Sequence, residues 1–143
     1  MKNIIEKIIL KVAFVQALIA TLGSLYFSEI ANFVPCTLCW YQRICMYPLV
    51  VILGIGIAEK KKDIYKYVLP FSIIGWLIAV YHNLLQYGII SESVYMCTAI
   101  GSCTQRYVNL YGIITIPLMS LVAFSVINIC IAVYIVSRDK KTR

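Results

Sequence analysis

From Pro35 to Lys66 the chain reads PCTLCWYQRICMYPLVVILGIGIAEKKKDIYK. Three features of this stretch decide the kind of protein it belongs to. It opens on two cysteines with two residues between them, Cys36 and Cys39. It continues as an apolar run from about Leu38 to Ala58, interrupted by one charge, Arg43. It closes on Lys60, Lys61, Lys62 and Lys66. The run has the ~20 residues that a helix needs to cross hydrocarbon, and the lysines are the flanking charge that such a helix carries on one side.

Working outward, the same grammar repeats. Charged residues bracket four apolar segments, at about 12–28, 38–58, 67–87 and 108–137. The composition agrees, with 62% of the 143 residues hydrophobic and 13% charged, too apolar for a water-soluble domain of this size. Lipid leaves unpaired peptide groups no partner, so each segment is expected to be helical. The fold class predicted is an all-α integral membrane four-helix bundle forming a single domain. Pro70 is expected in the first turn of helix three, with Pro48 and Pro117 inside helices two and four, where they would kink them. A cleaved leader is the alternative for the first segment, but the run is long for one and no small-residue cleavage site follows.

The net charge of +7 does not point to nucleic acid. The basic residues form three short clusters, with no stripe interleaved with stacking aromatics. Lys2, Lys7 and Lys11 precede segment one, the four lysines follow segment two, and Arg138, Lys140, Lys141 and Arg143 follow segment four. These are eleven of the thirteen basic residues; Arg43 and Arg106 are the others. The bias predicts cytoplasmic termini and outward-facing loops at 29–35 and 88–107 in a multi-pass cell-membrane protein. Trp40, Tyr41, Tyr81, Tyr87, Tyr107 and Tyr111 then read as an interfacial aromatic belt.

That topology sorts the six cysteines. Cys45 and Cys130 fall within spans and read as small packing residues. Cys36 and Cys39 follow Pro35, which favours a helix start. Free N–H groups and the helix dipole stabilise a thiolate there. Cys97 and Cys103 bracket a short Gly- and Ser-containing loop. A disulfide in such a loop adds little stability but is open to attack by an incoming thiolate. Four outward cysteines suggest thiol–disulfide chemistry. The alternatives are static staples, or a four-cysteine zinc site, which the oxidising outer location disfavours.

Two further polar residues share that depth. Arg43 lies four residues after Cys39, on the same helical face one turn deeper. It is either a snorkelling charge or a cation that stabilises the Cys39 thiolate and a carbonyl acceptor. His82, the one histidine, is either an interfacial or internally bonded histidine or a hydrogen-bond or proton donor to the same carbonyl acceptor. Gln16, Asn83 and Gln86 are candidates to face a polar cavity.

The order of these parts resembles the disulfide bond formation protein B (DsbB) family. The residues carrying the resemblance are Pro35-Cys36-Thr37-Leu38-Cys39-Trp40-Tyr41-Gln42-Arg43 and the closely spaced Cys97 and Cys103. The short second pair is similar to the compact Gram-positive subgroup called BdbC. The resemblance implies a membrane enzyme that reoxidises an extracytoplasmic thioredoxin-fold thiol oxidase and passes the electrons to quinone, with menaquinone implied over ubiquinone. It assigns catalysis to Cys36, Cys39, Cys97 and Cys103 and places the quinone beside Arg43; His82, by its depth, is the second candidate for quinone binding, and no metal is expected. Cys97 would take the partner's attack, Cys103 would exchange with Cys36, and Cys39 would deliver electrons beside Arg43. Better-studied Gram-negative members carry an acid in helix one, where this chain has Thr21. Competing readings are a vitamin K epoxide reductase-like protein, whose C-x-x-C would be expected at the last helix, and a non-enzymatic adaptor.

Overall fold

A computed structural model describes residues 2–60, 63–90 and 115–142. The described residues form four long helices: α1 (Lys2–Leu25), α2 (Thr37–Ala58), α3 (Tyr65–Gln86) and α4 (Ile116–Thr142). A wider π-helical turn, Tyr26–Ile30, continues α1. Each of the four is long and apolar enough to cross a membrane. They pack in a ring, α1 against α2 and α4, and α3 against α2 and α4.

The burial pattern is that of a protein solvated by lipid. Phe124, Leu49, Leu53, Ile127, Ile131 and Val68 fill the centre. Equally large apolar side chains, among them Ile19, Ile44, Val51, Leu77 and Ile129, point outward and stay exposed. Such a surface is stable only where hydrocarbon covers it.

Without a hydrophobic force between helices in lipid, close backbone approach and polar contacts hold them together. The α3–α4 seam has both. At Gly75 any Cβ would collide with the buried ring of Phe124, so glycine lets α4 seat against the α3 backbone. On the same seam Ser72 Oγ donates to Asn128 Oδ1 at 2.7 Å, and Trp76 Nε1–H donates to Ser125 Oγ at 2.9 Å.

The helix starts differ from those read in the sequence. α1 begins at Lys2, not Val12, because the basic lead-in carries enough helix-forming residues to extend the span. α3 begins at Tyr65, so Pro70 lies inside the helix and not in its first turn. α4 begins at Ile116, which puts Pro117 in the first turn, where its missing N–H costs nothing. Pro48 lies inside α2 as expected. Residues 108–114 of the expected fourth span lie outside the described residues.

One end of the bundle gathers charge. There Asp63 pairs with Arg138 at 3.3 Å and Lys66 at 3.7 Å, next to the Lys60 turn. The C-x-x-C occupies the opposite end.

Gly75→Leu should destabilise the bundle by about 1–3 kcal/mol, since Phe124 has no space to yield. Asn128→Leu should cost less, about 1 kcal/mol for one interhelical hydrogen bond. Thermal unfolding of the two variants in the same detergent checks this ranking.

Candidate active site

Cys36 is the N-cap of α2, with extended backbone at φ −71° and ψ 169°. Its Sγ accepts from the Cys39 backbone N–H at 3.4 Å, as a serine hydroxyl would in a conventional cap. One turn of helix then carries the Cys39 sulfur to 3.0 Å from the Cys36 sulfur. Both are free thiols. This pair, on one turn at a helix N-terminus, follows directly from Pro35 and the C-x-x-C spacing.

His82 completes the site from α3. It is 2% exposed, and its Nε2 lies 3.7 Å from Cys36 Sγ. Its other nitrogen, Nδ1, is 3.3 Å from the Nε2 amide group of Gln42, itself buried. An amide NH₂ only donates, so this contact assigns Nδ1 as acceptor and places the ring proton on Nε2, facing sulfur. The Cys36 thiol is lowered from its ordinary range to about 4. Hydrogen bonding from Cys39 does most of this and His82 adds to it, against the opposing effect of burial.

Arg43 lies one turn beyond Cys39. Its guanidinium donates to the Ser24 carbonyl of α1 at 3.1 Å and sits over the Trp40 ring at 5.5 Å. Ser24 is just ahead of the π-helical turn, and its carbonyl also accepts from Ser28 Oγ. π-turns recur at functional sites because they take carbonyls out of the regular ladder. Among the described residues no hydrogen bond joins Arg43 to either sulfur.

Cys36, Cys39, Gln42, Arg43 and His82 all line one cavity of about 250 Å³. That is near the lower end of the ~300–1,000 Å³ usual for small-molecule sites. Gly23 of α1, Phe27 of the π-helical turn, Met46 and Tyr47 of α2 and Met119 and Phe124 of α4 are among the residues of its wall. α1 thus takes part in the site even though no acid stands at Thr21: Gln16, Gly23, Ser24 and Phe27 face the cavity, and Thr21 is not among its lining residues.

Of the other residues read from the sequence, Gln16 lines the cavity. Asn83 instead ties α3 to α4, donating to the Ala79 and Pro117 carbonyls. Gln86 is buried at the end of α3, outside the cavity lining. Cys45 is in the central core and Cys130 packs against it. Trp40, Tyr41 and Tyr87 are exposed, as a belt requires, whereas Tyr81 is half-buried against Cys36, Leu38 and Leu85. Cys97, Cys103, Arg106, Tyr107 and Tyr111 lie outside the described residues. Gln42 is the functional residue that the sequence reading missed. Its signal was available: a glutamine within a membrane span is costly unless it is bonded.

Cys36, Cys39 and His82 also bring three potential metal ligands within 4.8 Å of one another. Two sulfurs 3.0 Å apart are closer than two thiolates on one zinc, where ~2.3 Å bonds in tetrahedral geometry separate them by nearly ~4 Å. The arrangement suits sulfur–sulfur chemistry better than zinc.

The family model described as disulfide bond formation protein DsbB matches residues 6–134. The chain belongs to the DsbB family. It is 50% identical over 129 residues to disulfide bond formation protein C of Bacillus subtilis, covering 90% of this chain and 92% of that one. It is 44% identical over 138 residues to probable disulfide formation protein C 2 of Bacillus anthracis, covering 96% and 98%. It is 45% identical over 119 residues to probable disulfide formation protein C of Halalkalibacterium halodurans, covering 82% and 86%. No solved structure matches the chain at a significant level. A DsbB-family member with four spanning helices is a multi-pass membrane thiol–disulfide oxidoreductase, and the paired sulfurs of α2 are the groups here suited to that chemistry.

The His82 contact has a measurable signature. In the reduced protein the ultraviolet absorbance of a thiolate should persist well into the acid range and disappear near pH 4 as Cys36 protonates. His82→Phe removes a donor to the charged form and should move that midpoint upward. Gln42→Leu should move it in the same direction by less. Titration of absorbance against pH checks both.

Proposed function

We propose that this protein reoxidises an extracytoplasmic thioredoxin-fold thiol oxidase and passes the electrons to membrane quinone. The observation that carries the reading is that the Cys36–Cys39 turn opens onto an apolar cavity whose wall includes Arg43, the one Lys or Arg among the described residues that line it. A flat, uncharged ring with carbonyl oxygens suits that lining, and menaquinone is the quinone implied by the resemblance to Gram-positive members. Both cysteine pairs lie on the outer side in this reading, with the termini and the lysines between the second and third spans in the cytoplasm, as the basic bias requires.

The electrons follow an ordered path. The dithiol of the partner reduces the Cys97–Cys103 disulfide, with Cys97 taking the attack, and leaves as a disulfide. The Cys103 thiolate attacks Cys36 in the Cys36–Cys39 disulfide, breaking that bond and releasing Cys39 as thiolate. Cys97 then attacks Cys103, restoring the loop disulfide and releasing Cys36. Hydrogen bonds from the Cys39 backbone N–H and from His82 favour the Cys36 thiolate, which makes it a good leaving group in that step. Bound quinone supplies a sink for two electrons and two protons. Cys39 would pass the electron pair to that sink as the Cys36 thiolate closes on its sulfur and restores the disulfide, and Arg43 would hold the acceptor at a carbonyl oxygen. The sum is dithiol plus quinone giving disulfide plus quinol.

Purified protein given a reduced thioredoxin-fold oxidase and menadione should consume both in equal amounts. Arg43→Ala should lower kcat/KM for quinone by roughly ten- to a hundredfold, the loss of one charge-assisted hydrogen bond worth ~1.5–3 kcal/mol. The Ser24 carbonyl still has Ser28 as donor in that variant, so the bundle should hold. Absence of quinone consumption by the wild type would sink the proposal. Cys103→Ser should trap the partner on Cys97 as a mixed disulfide visible on a non-reducing gel; a variant that traps nothing and turns over normally would remove the loop pair from the path.

A further inference from the structure

Cys39, Arg43 and Tyr47 follow one another at four-residue intervals and share one face of α2, and all three line the cavity. Tyr47 is the deepest. Its phenolic oxygen is buried and has no hydrogen-bond partner among the described residues. Buried tyrosine hydroxyls normally find a partner, and Tyr47 is also a lining residue of the cavity, so its unmatched phenol is the group that an acceptor bound there would satisfy. Gln16 of α1 lines the same cavity and adds a second polar side chain near mid-membrane, where polar groups tend to have functional partners.

The spacing fits one class of acceptor. The two carbonyl oxygens of a para-quinone lie roughly 5 Å apart across the ring, about the ~5.4 Å pitch of an α-helix. A ring lying along α2 with one carbonyl at Arg43 therefore presents the other one turn deeper. We infer that Tyr47 donates a hydrogen bond to the quinone carbonyl remote from Cys39, so that the ring is held at both ends, between Arg43 and Tyr47, with its long axis along α2. This rests on the quinone reading above and adds to it the orientation of the ring and the residue that fixes it. It also makes a class distinction: the site favours acceptors with two opposed carbonyls over those with one.

The test is equilibrium binding to the full-length oxidised protein in detergent, followed by quenching of tryptophan fluorescence. The probes are menadione and a monoketone of the same ring frame. Tyr47→Phe should weaken menadione binding roughly fivefold, the value of one neutral hydrogen bond. It should leave the monoketone unchanged, because Arg43 takes its single oxygen. Without ligand, Tyr47→Phe should unfold at the same temperature as the wild type or higher, since the hydroxyl has no bond to lose, and menadione should raise its unfolding temperature less. Equal menadione affinity in wild type and variant overturns the role of Tyr47, as does equal weakening of both probes, which would mean packing. No saturable menadione binding by the wild type overturns the quinone reading itself.

Discussion

Hydrocarbon offers a peptide group nothing to bond to, and most of this structure follows from that. Inside the membrane every N–H must be consumed by a helix, so the donors able to steady a charged sulfur are confined to helix ends and to the few polar side chains carried in. Cys36 occupies such an end. It takes the place of the serine or aspartate that would normally cap α2, so the backbone N–H that would have gone to an oxygen goes to sulfur. Thiolate stabilisation and helix capping are a single contact here, and the cysteine pair sits at the edge of the bundle because the edge is where that contact exists.

The remaining donors come from helix neighbours. His82 reaches Cys36 from α3, and its orientation is set by Gln42, one turn below the sulfur pair on α2. Arg43 faces the other way, towards the end of α1. Two consecutive residues of α2 thus tie the redox turn to two different helices. The α3–α4 seam, held by Gly75 and by the Ser72–Asn128 and Trp76–Ser125 contacts, keeps His82 in a fixed frame.

Much of this was legible in the sequence, for reasons that can be named. The spans were visible because transfer into lipid is a sum over some twenty residues and tolerates local exceptions. The Cys36–Cys39 turn was visible because proline and C-x-x-C spacing act within one helical turn. What depended on contacts between helices was less readable. Thr21 in place of an acid put a contribution from α1 in question, yet Gln16, Gly23, Ser24 and Phe27 all line the cavity, because cavity walls need shape as well as charge. Gln42 looked like a neighbour of Arg43 and proved to be the partner of a histidine forty residues away. Pro70 and Pro117 exchanged their expected roles because a shift of a few residues in a helix start decides whether a proline is in the first turn or beyond it.

The core position of Cys45 has a consequence for fidelity. A protein that makes disulfides is at constant risk of making the wrong ones in itself, and this chain carries six cysteines. Cys45 is on the same helix as the reactive pair, six residues past Cys39. At 1.5 Å per residue that is ~9 Å along the axis, beyond the ~7 Å between α-carbons that a disulfide can bridge. The rigid rise of α2 therefore measures out which sulfurs can meet. Scrambling within the helix is prevented by length alone, with no residue devoted to preventing it.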